Sequence, residues 1–188
     1  MPFTETALPG VIIFEPAVFP DGRGFFFESY NRRLFQSNNI ANDFVQDNQS
    51  YSVYGVIRGL HYQRQPYAQA KLIRVLHGRI LDVVIDLRTG SPGFGKSYSI
   101  ELSAENKKQI FVPRGFAHGF SVLSKTAEIS YKCDQFYNKQ SESGILYNDS
   151  LLKIDWRITP GKELISEKDA QLAEFNPSLT DFIYLKDV

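Results

Sequence analysis

The chain has 188 residues, 43% of them hydrophobic and 14% aromatic, with 15 Phe and 10 Tyr. That is enough apolar material for a packed core, and it excludes an extended disordered chain. The 21 basic and 21 acidic residues cancel to a formal net charge of zero, which removes the field of a nucleic-acid binder but leaves room for a local positive pocket.

In chain order, Val11 to Phe14 is a short apolar run that reads as a strand, and Pro20 to Gly24 (PDGRG) follows with turn chemistry. Asn31 to Asn39 sets polar residues around Leu34 and Phe35, which predicts a short helix. From about residue 45 short runs recur between Gly, Pro and Asn signals, and Gly55 to Gln63 carries His61 within a strand. Lys71 to Leu76 and Ile80 to Arg88 flank His77-Gly78 and read as a hairpin. In its second arm Leu81, Val83, Ile85 and Leu87 alternate with Asp82, Asp86 and Arg88, the period of a half-buried strand. Tyr98, Ile100 and Leu102 alternate next, Ser103 to Lys107 turns, and Ile110 to Val112 leads into Pro113-Arg114-Gly115. His118 to Leu123 and Ala127 to Cys133 read as a further strand pair, and a helix is expected from Ser166. Many short strands with turns at this spacing predict a mainly β antiparallel sandwich or barrel with a few short helices, residues 1–188 forming one domain.

The one cysteine, Cys133, excludes an intrachain disulfide. Residues 1–10 lack a basic segment followed by a long apolar one, and no apolar run approaches the roughly 18 residues of a spanning helix. A cytoplasmic protein with no membrane partner is expected.

Alternation also assigns faces. Ala127, Ile129, Tyr131 and Cys133 share one side of their strand, Lys71, Ile73 and Val75 one side of theirs, and His118, Phe120 and Val122 one side of a third. A Lys, a His and a Tyr then enter one apolar interior, where an ammonium needs an anion or polar ligand and a phenol needs a partner. Small barrels use such an interior for a ligand. Each residue also has a structural reading. Arg58, Arg74 and Lys71 suit solvated strand faces, Gln46 and Asn48 ordinary strand positions, and Tyr137 a surface aromatic. Asp169, three residues after Ser166, suits a helix cap.

Gly55-x5-His61 and Pro113-x-Gly115-x-x-His118 resemble the two halves of a cupin metal motif. Gln63 stands where that motif has its second His, and Tyr67 or Ala68 where it has Glu. One His per half is too few for a stable site, so no metal is expected.

The stretches VIRGLHYQ (56–63), QAKLIRV (69–75), LSAENK (102–107), VPRGFAHGF (112–120) and LISEKDA (164–170), in this order and spacing, resemble the dTDP-4-dehydrorhamnose 3,5-epimerase family of cupin-fold enzymes. The resemblance implies a cupin-type antiparallel jelly roll and metal-free, cofactor-free epimerisation of a dTDP-4-keto sugar at C3 and C5. By it His61 matches the catalytic base, Asp169 its paired acid, Tyr131 the donor on the opposite face of the sugar, and Lys71 the group that stabilises the enolate. Arg58 and His118 match substrate contacts, and Arg23 and Glu28 match positions that hold the nucleotide. Gln46, Asn48, Tyr137, Glu142 and Lys168 match further binding positions, with Tyr137 near the thymine. It also implies a homodimer whose exchanged strands complete the neighbour's site. Epimerisation at C5 or C3 alone, a silent sugar-nucleotide-binding cupin and a metal cupin oxygenase are the competing readings, the last opposed by Gln63.

Overall fold

The computed structural model describes residues 2–179 and 181–185. Its elements in order are β1 (Phe3–Glu5), β2 (Ile12–Phe14), β3 (Phe19–Asp21), β4 (Gly24–Phe26), α1 (Arg32–Gln36), β5 (Gln46–Val53), β6 (Ile57–Gln63), β7 (Lys71–His77), β8 (Arg79–Asp86), β9 (Arg88–Thr89), β10 (Ser97–Ser103), β11 (Gln109–Val112), β12 (Phe116–Val122), β13 (Thr126–Cys133), β14 (Glu142–Gly144), α2 (Glu167–Ala170) and β15 (Phe182–Ile183). A six-stranded sheet runs β1-β2-β11-β7-β13-β5 and a five-stranded sheet β10-β8-β12-β6-β14, with the pairings in both antiparallel. Their inner faces pack together as the expected jelly roll. The short helix α1 is capped by Asn31, whose side chain accepts from Arg33 N and Leu34 N, and the run stops before Asn39, which sits at φ +63°.

Two expected pairings are corrected. Lys71–His77 and Arg79–Asp86 do not form a hairpin: β7 lies in the six-stranded sheet and β8 in the five-stranded one. The chain changes sheets at Gly78, where φ is +75° and a Cβ would stand 2.1 Å from Thr126 O. Likewise β12 and β13 belong to opposite sheets rather than to one pair. Each strand has an apolar inward face, so crossing between layers buries both arms against one another instead of side by side.

A third correction concerns β8. It is not half-buried; from Ile80 to Asp86 every residue is buried. Ile80 and Val84 face the space between the sheets, and Asp82, on the same side, faces it too. Leu81, Val83 and Ile85 point the other way, into a second core closed by Ile145, Trp156 and Phe182. Each of these fully buried side chains stabilises by roughly 1.5–3 kcal/mol. Trp156 adds a hydrogen bond from Nε1 to Tyr147 O and accepts one on its carbonyl from Ser121 Oγ. Apolar burial thus holds the irregular C-terminal third against the five-stranded sheet, which matters because that segment delivers Asp169.

Candidate active site

The interior between the sheets is divided along its length. Ile73, Val75, Ile80, Val84, Val122, Ala127 and Ile129 fill one part. The inward positions that follow on the same strands are Lys71, Tyr131 and His118, and these open onto a cavity of about 560 Å³ that is also lined by Arg58, His61, Ser166, Lys168 and Asp169. A smaller cavity of about 190 Å³ shares His61, Lys71 and Tyr131 and adds Gln46, Asn48, Gln63, Tyr137 and Glu142. The two cavities meet at three of the four residues that the resemblance assigns to chemistry.

His61 and Asp169 are 108 positions apart and meet at 2.7 Å between Nε2 and Oδ1. Three local features bring Asp169 there. Ser166 caps α2 by accepting from Asp169 N at 3.0 Å, as expected for a helix start. Leu164 bonds to Gly55 and Ile57 on the backbone and anchors the segment beside β6. Gly59 N donates to Asp169 Oδ2 at 3.2 Å. The carboxylate therefore does not close a capping box; it turns inward. Burial works to raise its pKa, but the His61 hydrogen bond and charge, with Gly59 and Ser166, outweigh this and hold it below the ordinary carboxylate value. With Asp169 ionised, Nε2 of His61 carries the hydrogen and Nδ1 keeps the free lone pair, the arrangement of a general base held by an acid.

Gly59 permits this geometry. Its φ is +118°, and a Cβ there would stand 2.7 Å from Gly119 Cα and 2.8 Å from His118 O. Gly59→Ala is expected to destabilise the fold by at least about 2 kcal/mol, through strain and overpacking together. Urea unfolding checks this, and an unchanged midpoint contradicts it.

Lys71 is half-buried. Burial pushes its ammonium below the usual lysine range, against the opposing influence of Cys133, Asp82 and Glu142. Burial pushes the Tyr131 phenol up, Cys133 adding to this and Arg58 opposing it. Arg58 is itself oriented by Nε donation to Ser52 Oγ at 3.0 Å. At the rim Glu142 accepts from Tyr137 Oη at 2.9 Å and pairs with Lys168 at 2.6 Å. Burial opposes, but those two partners win and lower the Glu142 pKa, while the same contacts raise Tyr137 and Lys168.

Gln46 and Asn48 lie on the inward side of β5, whose exposure alternates residue by residue from Gln46 to Val53. Gln63 donates to Tyr67 O at 2.6 Å and Phe136 O at 3.2 Å and accepts from Asn138 N at 2.6 Å. In place of a metal ligand the chain has a side chain that pins the loop bearing Tyr137. His118 Nε2 donates to Asp82 Oδ2 at 2.8 Å, and the other oxygen of Asp82 has no hydrogen-bond partner among the described residues. Sequence reading missed Asp82, because an acid alternating with apolar neighbours looks like a solvent-facing position. The available signal was Asp82's place on the same inward face as Ile80 and Val84.

Arg23 and Glu28 are not brought to this cavity. Arg23 sits at the β3–β4 turn with its side chain 91% exposed and paired to Asp21, and Glu28 lies in a separate groove beside Phe14 and Leu34. Among the described residues no group of three or more His, Cys, Asp and Glu side chains is arranged to hold a metal ion.

A family model described as dTDP-4-dehydrorhamnose 3,5-epimerase matches residues 5–177. A relative of that name from Pseudomonas aeruginosa is 53% identical over 172 residues, covering 91% of this chain and 94% of the relative. A solved epimerase of that name from Elizabethkingia anophelis superposes with a TM-score of 0.90 at 53% identity, covering 95% of this chain and 97% of its own. A Legionella pneumophila dTDP-6-deoxy-D-glucose-3,5-epimerase, solved with dTDP-4-keto-L-rhamnose, superposes with a TM-score of 0.91 at 42% identity, covering 98% of each chain.

Proposed function

Because the chain belongs to the dTDP-4-dehydrorhamnose 3,5-epimerase family, we propose that it converts dTDP-4-dehydro-6-deoxy-D-glucose to dTDP-4-dehydro-L-rhamnose by inverting C3 and C5. The observation that carries the reading is the convergence of the His61–Asp169 pair, Lys71 and Tyr131 on one cavity.

The C4 ketone acidifies the hydrogens on C3 and C5. His61 Nδ1 removes one of them, the C–H electron pair moves into the ring, and the carbonyl electrons move onto the C4 oxygen as an enolate. Asp169 stabilises the imidazolium that forms. Lys71 answers the charge on the enolate oxygen, a contribution of about 3–4 kcal/mol for one oxyanion donor in a site shielded from water. Tyr131 delivers a proton to the opposite face of the carbon, and its phenolate regains a proton from solvent. Two faces need two groups, which is why a base on β6 and a donor on β13, in opposing sheets, suit the reaction. No electrons leave the substrate, so no redox cofactor is part of this proposal, and Lys71 takes the enolate charge that a Lewis-acid metal would otherwise take. Arg58 and Lys168 supply positive charge for the diphosphate, with His118 beside the sugar. The ring of Tyr137, steered by Glu142, serves as a platform for the thymine, with Gln46 and Asn48 beneath it.

We further read the enzyme as a homodimer with exchanged strands. Arg23 and Glu28 have no role in their own cavity, and the β3–β4 hairpin exposes Phe19, Phe25 and Phe26 at 62%, 58% and 70%, which supports its insertion beside a neighbour's site. The cytoplasm is the compartment of this reading. No helix among the described residues is long and apolar enough to cross a membrane.

The test is incubation with the 4-keto sugar nucleotide in D₂O, coupled to a dTDP-4-dehydrorhamnose reductase. The expected product carries deuterium at both C3 and C5, with turnover unchanged by EDTA. Label at one carbon alone identifies a single-site epimerase, and absence of turnover removes the enzymatic reading.

A further inference from the structure

Lys71 has a neighbour that the mechanism above does not use. In the six-stranded sheet Cys133 of β13 stands directly between Gln46 of β5 and Lys71 of β7. Directly opposed residues share a face, so all three side chains point inward. Cys133 is 1% exposed.

The polarity of the hydrogen bonds around it is set from one end. The Tyr137 backbone N–H donates to Gln46 Oε1 at 3.0 Å. A backbone N–H only donates, so this contact fixes the Gln46 amide, and its Nε2 donates to Asn48 Oδ1 at 3.0 Å. Asn48 Nδ2 is then left to donate to Cys133 Sγ at 3.6 Å. Aligned donors thus run from the loop that carries Tyr137 to the sulfur beside Lys71, and such chains reinforce one another.

We propose that Gln46, Asn48 and Cys133 form a positioning relay that aims the Lys71 side chain and ties its placement to the loop carrying Tyr137. The proposal rests on the reading of Lys71 as the enolate-stabilising group. A thiol suits the last position because it both donates and accepts weakly. Its S–H turns toward Lys71 when the amine is neutral, and its lone pair receives an N–H when the ammonium is charged. A thiol beside Lys71 therefore suits the side chain in either protonation state. The charged and titratable groups that face Lys71 are Asp82 from β8, Glu142 from β14 and Cys133 itself, with His61, His118 and Tyr131 on the same cavities. Burial keeps the thiol protonated by pushing its pKa up, although Lys71 and Asn48 pull the other way.

Cys133→Val and Cys133→Ser, each made in the native and the Lys71→Met background, test the relay through kcat, KM and the pH–rate profile. In the native background Cys133→Val is expected to lower kcat roughly tenfold with KM changed less than about twofold. It is also expected to displace the pH–rate profile, and Cys133→Ser restores most of the rate. In the Lys71→Met background the same valine change is expected to alter the residual rate by less than about twofold, because residues acting as a unit are not additive. An equal loss in both backgrounds, or no loss in the native one, overturns the relay while leaving Lys71's role intact. Full activity of Lys71→Met overturns the reading of Lys71 instead, and the relay with it. Should the valine variant fail to fold, Cys133→Ala carries the same comparison.

Discussion

His61→Ala is expected to lower turnover by roughly 10²–10⁴-fold, the range one positioned general base supplies, and to abolish solvent-deuterium uptake at C3 and C5. The enolate then loses the base this reading assigns to it; the second imidazole on the cavity, His118 with Asp82, is assigned to the sugar and not to the C3 and C5 hydrogens. Nucleotide binding should change little, since Tyr137, Glu142 and Lys168 sit at the rim and bond to one another rather than to His61. Stability will change in a defined direction. Asp169 has a folded-state pKa below its unfolded value, so its contribution is present above the unfolded pKa of about 3.9 and is lost as pH falls through the folded value. Without His61 the burial effect is less opposed and the folded pKa rises. The alanine variant therefore gives up part of that stability at neutral pH. His61→Asn retains a donor to Asp169 and separates the two effects: it should fold more like the native chain while remaining inactive. Proton NMR in D₂O decides the catalytic point, and native rates of exchange in either variant remove His61 from the base role.

His61 and its partner Asp169 are legible in the sequence to different degrees, and for physical reasons. Period-two alternation places His118 and Tyr131 of β12 and β13 on one interior, and Lys71 of β7 with them although both sides of that strand carry a charge. Alternation reports a face, however, and not the sheet to which the strand belongs. His77-Gly78 has turn chemistry whether the chain folds back beside itself or crosses to the other layer, and so β7 and β8 looked like a hairpin. The pattern of β8 misled in the same manner. Its acids suggested water on one side, whereas the interior is polar at that level and the apolar side needed a cover that comes from about 70 residues later in the chain, around Trp156. β5 was the least legible strand. Its inward side is Gln46, Asn48, Ser50 and Ser52, which carries no hydrophobic signal because it lines a ligand cavity. Asp169 was legible as a cap and only by resemblance as a partner of His61, since no local rule turns a carboxylate at that position inward. Arg23 and Glu28 came from resemblance alone, and the fold leaves them outside the cavity of their own chain.

This division explains why a chain of zero net charge handles an anionic substrate. The positive groups are not a surface field; Lys71, Arg58 and Lys168 are collected on one cavity by strands and a helix drawn from distant parts of the sequence. Of the acids nearby, Glu142 pairs with Lys168, while Asp82 and Asp169 bond to the imidazoles of His118 and His61 and set the geometry of those rings. Removing a group that orients therefore differs from removing one that reacts, and the difference is read in which step fails.

Tyr131→Phe is expected to make that separation directly. The phenyl ring keeps the packing of Tyr131 against the inner core, so the fold and the His61 side of the cavity remain. His61 still removes the hydrogen, Lys71 still meets the enolate, and deuterium still enters from the base side. Exchange at C3 or C5 should stay within about tenfold of native, while the inverted product falls by roughly 10² or more at one centre at least. The direction of the Tyr131 pKa supports this assignment. Burial, with a smaller push from Cys133, raises it against the influence of Arg58, so the phenol is protonated across the neutral range and is ready to donate when the enolate forms. A phenol of raised pKa gives up its proton less readily than a free one, and the dependence on its proximity to carbon is correspondingly steep. The measurement is the ratio of exchanged starting sugar to inverted sugar, resolved by NMR at each carbon. Native yields of the inverted product from the phenylalanine variant assign the second proton to another group or to water, and Tyr131 is then a wall of the cavity and nothing more.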